Sequence, residues 1–400
     1  VLSGFTIQNC AANYGGGIYF HSSNPTLTNI TIMNNSATSG GGGIACWDIS
    51  TPSLEDVTIT DNTTSGGGGG GIWCYDESNV NLVNVTISDN TANEGGGICC
   101  YSQANPTLTN VTISGNSAIH GGGIFCDENS SPILDNVTIS GNLASNDGGG
   151  VYCNGSSATL DSVTITGNSA PSGGGIYINS SVININDSYI NNNSTENGTI
   201  EANGSTLDIN RSEIIGNGNA QSSTSVLKSN NSYSTFNYCL IADNTSTGRT
   251  IWSVADADGN LELKNITFVD NHSSAGLSNH IIFSSSNGII ENSIFYNNNS
   301  NLINIQEQDY LSISYTNINA EDISFDSQED LFWGEGNTNA DPLLTDDFTL
   351  QSTSPCIDAG DPDLDGDGDD YTIDTDDQDP DGTRMDMGAY YYHQITPNGS

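Results

Sequence analysis

The stretch "DLDGDGDDYTID", residues 363–374, concentrates more chemistry than any other part of the chain. Asp363, Asp365 and Asp367 fall at loop positions one, three and five, Gly368 at six and Asp374 at twelve. That is the spacing of a calcium loop, D-x-D-x-D-G closed by an acid, with Asp where Glu is usual. Alternate acids set several oxygens on one concave side, Gly permits the sharp turn, and Asp369 at position seven would add its backbone carbonyl. Carboxylates crowded this way repel one another unless a cation lies among them, which makes Ca2+ the expected cofactor. A solvated acidic loop is the plainer alternative. Asp376, Asp377, Asp379 and Asp381 extend the run and allow a second ion.

Other reactive groups recur at fixed intervals. Cys46, Cys74, Cys100, Cys126 and Cys153 each stand two residues after the apolar residue that closes a glycine run, in line with Phe20 and Ile178. They predict one inward column with neighbours about 5 Å apart. That is within disulfide reach, yet five members cannot all pair, and no His stands in register to build a metal site. The column reads as thiols packed as small hydrophobes. Cys99, next door, is expected to point outward and to be the reactive thiol. Asp61 and Asp89 share one place in consecutive repeats, as do Asp243 and Asp270. Such pairs suit a retaining glycosidase, but other repeats carry Asn, or Gly115, Gly141 and Gly167, in that place, the pattern of ordinary corner residues. A polyuronate lyase needs cations to neutralise its substrate, and no Lys or Arg precedes Arg211. No catalytic residue is assigned. Thr58/Thr60, Thr86/Ser88, Thr112/Ser114, Thr138/Ser140 and Thr164/Thr166 form a hydroxyl ladder that resembles ice-binding lattices, although Thr is also the favoured outward residue of an exposed strand. Asn29, Asn84, Asn110, Asn136 and Asn265 open Asn-x-Ser/Thr triplets and are candidate glycosylation sites; Asn and Thr equally suit turns and strands.

These groups are positioned by a repeat. "SGGGGIACWDISTPSLEDVTITDN", "NEGGGICCYSQANPTLTNVTISGN" and "HGGGIFCDENSSPILDNVTISGN" are nearly one sentence. Its marker recurs at Ile7, Ile32, Ile59, Ile87, Ile113, Ile139, Ile165, Ile190, Ile214, Ile241, Phe268 and Ile294. Apolar residues such as Val85 and Val111 stand two residues earlier, with Thr between, which is the alternation of a strand with one buried face. Three residues after each marker comes an asparagine, from Asn35 to Asn297, with Cys10 in that place in the first repeat. Stacked asparagines can pass hydrogen bonds from turn to turn. Glycine runs end at Ile18, Ile44, Ile72, Ile98, Ile124, Val151 and Ile176 and mark a second corner. Units of this length cannot bury a core alone and must stack. The prediction is an all-β fold: a single-stranded right-handed parallel β-helix of about 12 rungs, the hand following from parallel crossovers, with an irregular acidic carboxyl-terminal cap. Residues 1–320 form the helix, glycine-rich through 178 and glycine-poor from 179 to 320, and residues 321–400 form the cap.

The pairing of "GGGI" with "TIxxN" resembles the GGA[ILV] and FxxN repeats of polymorphic outer-membrane proteins and related pectate-lyase-like β-helices. "DPLLTDDFTLQSTSPCIDAGDP" and "DGTRMDMGAYYYHQ" are similar to the terminal segment of bacterial surface proteins called choice-of-anchor Q domains. The resemblance implies a secreted or cell-surface bacterial protein. Composition agrees in kind. The 48 acidic residues against 5 Lys and Arg give a net charge of -43, which disfavours nucleic acid and anionic membranes as partners. No apolar run of about 20 residues suggests membrane insertion. The expected role is an extracellular structural or adhesive β-helix, with glycans or cell-surface components as partners; a glycoside hydrolase or lyase and an ice-binding protein are the alternatives. The chain reads as a mature or trimmed product, and because it opens inside a rung, head-to-tail self-association into a fibre is a further expectation.

Overall fold

One repeat shows why these residues build these elements. In Thr107–Thr109 and Thr112–Ser114 the central Leu108 and Ile113 are buried while Thr and Ser face out. Between the two strands stands Asn110 with φ 55°, a left-handed corner that Asn tolerates better than most residues. Gly115, φ 64°, makes the next corner. A short strand, Ser117–His120, leads to the glycine run and then to Ile124–Asp127, where Ile124 and Cys126 point inward.

The computed structural model describes residues 1–218, 225–254, 259–273, 280–284, 287–298, 302–306, 310–325, 327–375 and 377–392. Among these residues the repeats stack into three long sheets. The first has 14 strands from Leu2–Ser3 to Leu331–Trp333, the second 12 from Thr6–Gln8 to Ile294–Tyr296, and the third 13 from Ile18–His21 to Ile323–Phe325. The strands pair in parallel and in register, Ile87 with Ile113 and Ile113 with Ile139. The predicted architecture is therefore the observed one. Its last strands, Ile323–Phe325 and Leu331–Trp333, continue the third and first sheets, so the coil runs past the expected boundary at residue 320. No helix among the described residues is long and apolar enough to cross a membrane.

Inside, one apolar cluster runs from Phe20 to Ile323. Beside it the asparagines form a continuous ladder. Asn116 Nδ2 donates to Asn142 Oδ1 and to the Ile87 carbonyl, both at 3.0 Å, while its Oδ1 accepts from Asn90 N at 2.9 Å and Asn90 Nδ2 at 3.0 Å. Each amide thus satisfies backbone groups at a dry bend that water cannot reach. The final step departs from the sequence reading. Phe268 pairs with Phe295, not Ile294, and the ladder ends on Asn298, not Asn297. Ile294 faces outward instead, where it joins Tyr315, Leu350, Cys356 and Met387 in a second apolar cluster under the cap.

The glycine run is required by close approach as well as by its bend. Gly95 has φ 60°, and a Cβ on Gly96 or Gly97 would lie 2.6 Å from the carbonyl oxygen of Gly122 or Gly123 in the next turn. The third glycine leaves no room for alanine.

Outside the third sheet lies a feature the period does not announce. Ala45, Trp73, Cys99 and Phe125 form a second buried layer, flanked by Tyr14, Trp47, Tyr75, Tyr101 and Tyr152. Phe125 stacks on Tyr152 at 4.9 Å, and Tyr152 on Tyr177 at 5.2 Å, with the rings nearly parallel. The expectation of a reactive Cys99 is corrected here. Its side chain points outward, as expected, but it is fully buried beneath these aromatics, and burial pushes its thiol well above the ordinary range. A thiol held neutral in an apolar layer is a poor nucleophile.

Candidate metal centre

The carboxyl-terminal segment folds back against the end of the coil. Asp361 N donates to Asn292 Oδ1 at 2.6 Å, Gly388 N to the Asn292 carbonyl at 2.6 Å, and Ala389 N to Thr267 Oγ1 at 3.0 Å. Those contacts anchor both ends of the acidic loops. Gly360 and Met387 pair with Met385 and Cys356 through backbone hydrogen bonds and draw the two ends together.

Within the loop, the carboxylates cap the backbone they belong to. Asp365 Oδ1 accepts from Asp367 N at 3.1 Å, Asp367 Oδ1 from Asp369 N at 2.9 Å, and Asp363 Oδ2 from Gly368 N at 3.1 Å. Gly366 and Gly368 take φ 74° and 95°, which turns the chain so that alternate side chains converge. Of the predicted ligands, Asp365, Asp367 and Asp374 bring an oxygen each within 4.8 Å of one another, and Asp363 with Asp365 forms an overlapping group. Asp369 is exposed and joins neither group through its carboxylate; its expected contribution was a carbonyl.

The member of that second group which completes it is Asp377, from outside the twelve-residue loop. It is fully buried; Oδ1 accepts from Leu364 N at 2.5 Å and Asp365 N at 3.4 Å, while Oδ2 has no hydrogen-bond partner. A buried carboxylate oxygen without a partner is costly. Among the described residues no Lys or Arg pairs with these acids: Arg384 donates Nε to the Gly360 carbonyl and lies over the Tyr315 ring. An all-oxygen donor set of this density fits a hard divalent cation, Ca2+ before Mg2+ because the ligands are many and irregular. Asp376 lies outside the described residues.

A third group joins Asp379 to Asp358 and Asp386, which sequence reasoning did not single out. Asp379 and Asp386 are buried, and burial is the leading cause that raises their carboxyls to about 7 and about 6. Asp386 Oδ1 accepts from Asp358 N and its Oδ2 from Tyr392 N. "IDAG" and "MDMG" carry one acid each among small or apolar residues, so nothing in their spacing announced the meeting.

The remaining candidates take structural places. Asp61, Asp89, Asp243 and Asp270 all have left-handed φ values between 53° and 56°, and Gly115, Gly141 and Gly167 share that conformation. The mixture of Asp, Asn and Gly in this column follows from a corner that each of them tolerates. Asn29, Asn84, Asn110, Asn136 and Asn265 occupy the other corner column, with φ between 51° and 55°. Four of them are exposed, whereas Asn265 is buried, with Nδ2 bonded to Asn237 Oδ1 at 3.1 Å. The five column cysteines are buried free thiols paired strand to strand.

A family model described as "right handed beta helix region" matches residues 3–131 and again 122–280, more than half of the chain. No curated protein matches it.

Proposed function

The chain belongs to the right-handed β-helix family, and from that premise we propose that it serves as an extracellular structural or adhesive rod of a bacterial surface, stiffened at its carboxyl end by Ca2+. Membership leaves enzymatic and non-enzymatic roles open, because the fold hosts both. The observation that carries the reading is the unbroken side-chain ladder from Asn35 to Asn298 beside one continuous core. A coil tied at every turn holds its two ends at fixed separation, which is what a spacer or adhesin stalk must do. The 13 strands stacked in the third sheet, at about 4.8 Å each, make a coil about 60 Å long.

Calcium belongs to the same reading. The cap covers the outer face of the last turns, and the unpartnered Asp377 oxygen beside Asp363 and Asp365 supports a cation that would lock it. Small-angle scattering and calcium titration calorimetry on the whole chain test both halves. The expected result is a rod of constant length, with calcium binding that weakens at least about tenfold in Asp365→Asn and Asp377→Asn. Cleavage of neutral or anionic polysaccharides by the purified protein would overturn the structural role, and a heat signal unchanged in both variants would remove the cation from these residues.

A further inference from the structure

Where Gly388–Tyr392 lies back along the second sheet, it meets the corner of the first and second sheets and encloses a cleft of about 660 Å3. Both columns that floor the cleft change character there. The outward column of the second sheet carries Thr112, Thr138 and Thr164, then switches to Tyr189 and Glu213. The left-handed corner column carries Gly, Asn, Asp or Ser until Arg211 and Tyr238, at φ 46° and 55°. Left-handed backbone costs a bulky residue about 1–2 kcal/mol, and strain of that kind concentrates where a side chain is needed for function. Tyr315, the other bulky residue of the column, is explained by packing, since it is buried in the cluster under the cap. Arg211 has no such cover and stays exposed, while Tyr238 is half-buried against Tyr391 of the cap; both wall the cleft.

The walls are aromatic and the polar groups are held in place. Tyr189 is 48% exposed, and Tyr238 and Tyr391 meet at 5.6 Å with rings tilted by 57°. Arg211 donates Nε and Nη2 to the two oxygens of Asp187, both at 2.8 Å, which makes one flat plate of donors and acceptors. Tyr390 donates its hydroxyl to Glu213 Oε1 at 2.7 Å and fixes that carboxylate. Aromatic faces receive the C–H faces of a sugar ring, and rigid planar side chains bond its neighbouring hydroxyls. The size lies in the usual range of small-ligand pockets, about 300–1,000 Å3. Charge narrows the ligand: one guanidinium already engaged by Asp187 stands beside Glu213 in a chain of net charge -43, so uronates and phosphates are repelled.

We infer that this cleft binds the end of a neutral saccharide, one or two residues long, between the cap tyrosines and the Arg211–Asp187 plate. The inference rests on the adhesive half of the proposed role and is independent of the cation. Saturation-transfer NMR and calorimetry on the full chain test it with maltose, lactose, cellobiose, N,N′-diacetylchitobiose and galacturonic acid as probes. At least one neutral disaccharide is expected to bind saturably, with galacturonic acid giving no signal. Tyr189→Ala and Glu213→Gln are expected to weaken that binding at least about tenfold. Tyr189 is largely exposed, so its variant should melt with the wild type, and Arg211→Ala supplies a second surface change. The inference is overturned if no disaccharide of the panel binds, if galacturonic acid binds best, or if binding survives undiminished in Tyr189→Ala and Arg211→Ala together. None of these outcomes alters the scattering test of the rod.

Discussion

Asn116 lies at the middle of a ladder in which each side chain serves three turns. Replacing it by Ala strips hydrogen bonds from the Ile87 carbonyl and the Asn90 amide inside a region without water. Buried groups left unpaired cost about 1–3 kcal/mol each, so Asn116→Ala should lower unfolding stability by about 3 kcal/mol or more. Asn110→Ala, at an exposed corner six residues earlier, loses chiefly the left-handed preference of Asn and should cost about 1 kcal/mol. Urea unfolding midpoints of the two variants check the difference. Equal losses would mean that the ladder amides are not the groups that hold the turns together. The same scale shows why Cys99 is shielded rather than reactive. Its outward direction follows from alternation within one strand, but its cover comes from Trp73 and Phe125, each a whole turn away.

At the scale of the element, the glycines of a repeat divide into two kinds, those of the run and those of the single corner, with different physics. A Cβ on Gly96 would stand 2.6 Å from both the Gly122 and Ser117 carbonyl oxygens, so Gly96→Ala must pry adjacent turns apart. Gly141 has only its φ of 61° to lose, with nothing within 4 Å of a new Cβ. Gly96→Ala should therefore cost about 3 kcal/mol or more and Gly141→Ala about 1 kcal/mol, read as unfolding midpoints and as new protease cleavage near the Gly96 bend. If Gly141→Ala proves the worse of the two, close stacking is not what selects the run. Most of this element was legible, because Leu108, Ile113 and Asn116 recur at a near-constant interval and alternation assigns their faces. The last turn was not. "SIFY" offers two adjacent apolar residues, and the cap buries the outer face as well as the inner, so both Ile294 and Phe295 have reason to be apolar. In the acidic loop, spacing identified Asp363, Asp365, Asp367 and Asp374, whereas Asp377 is brought to Asp363 and Asp365, and Asp358 and Asp386 to Asp379, only by the path of the chain over the coil.

For the whole molecule, the contrast is between a coil held by amides and aliphatic packing and a cap held among carboxylates. That contrast gives the two parts different responses to pH. Burial raises Asp361 and Asp386 to about 6 and Asp379 to about 7, whereas an unfolded Asp titrates near about 3.9. The folded cap therefore keeps protons that the unfolded chain has released. The stability those groups contribute is complete below the unfolded value and is lost as pH rises through about 6 and about 7. Stripped of divalent ions, the cap should unfold at a lower temperature at about pH 8 than at about pH 5, while the main coil transition shifts little between them. Calcium opposes that trend, because a cation replaces the protons that the deprotonated acids lack. At a calcium concentration about a hundred times Kd it should add about 2.7 kcal/mol to the cap, with the largest effect at the alkaline end. Differential scanning calorimetry at both pH values, with calcium and with chelator, checks the sign and the location together. A cap transition that rises with pH in the chelated protein would show that these carboxyls are ionised and compensated in the fold, which would remove the electrostatic reason for a cation there.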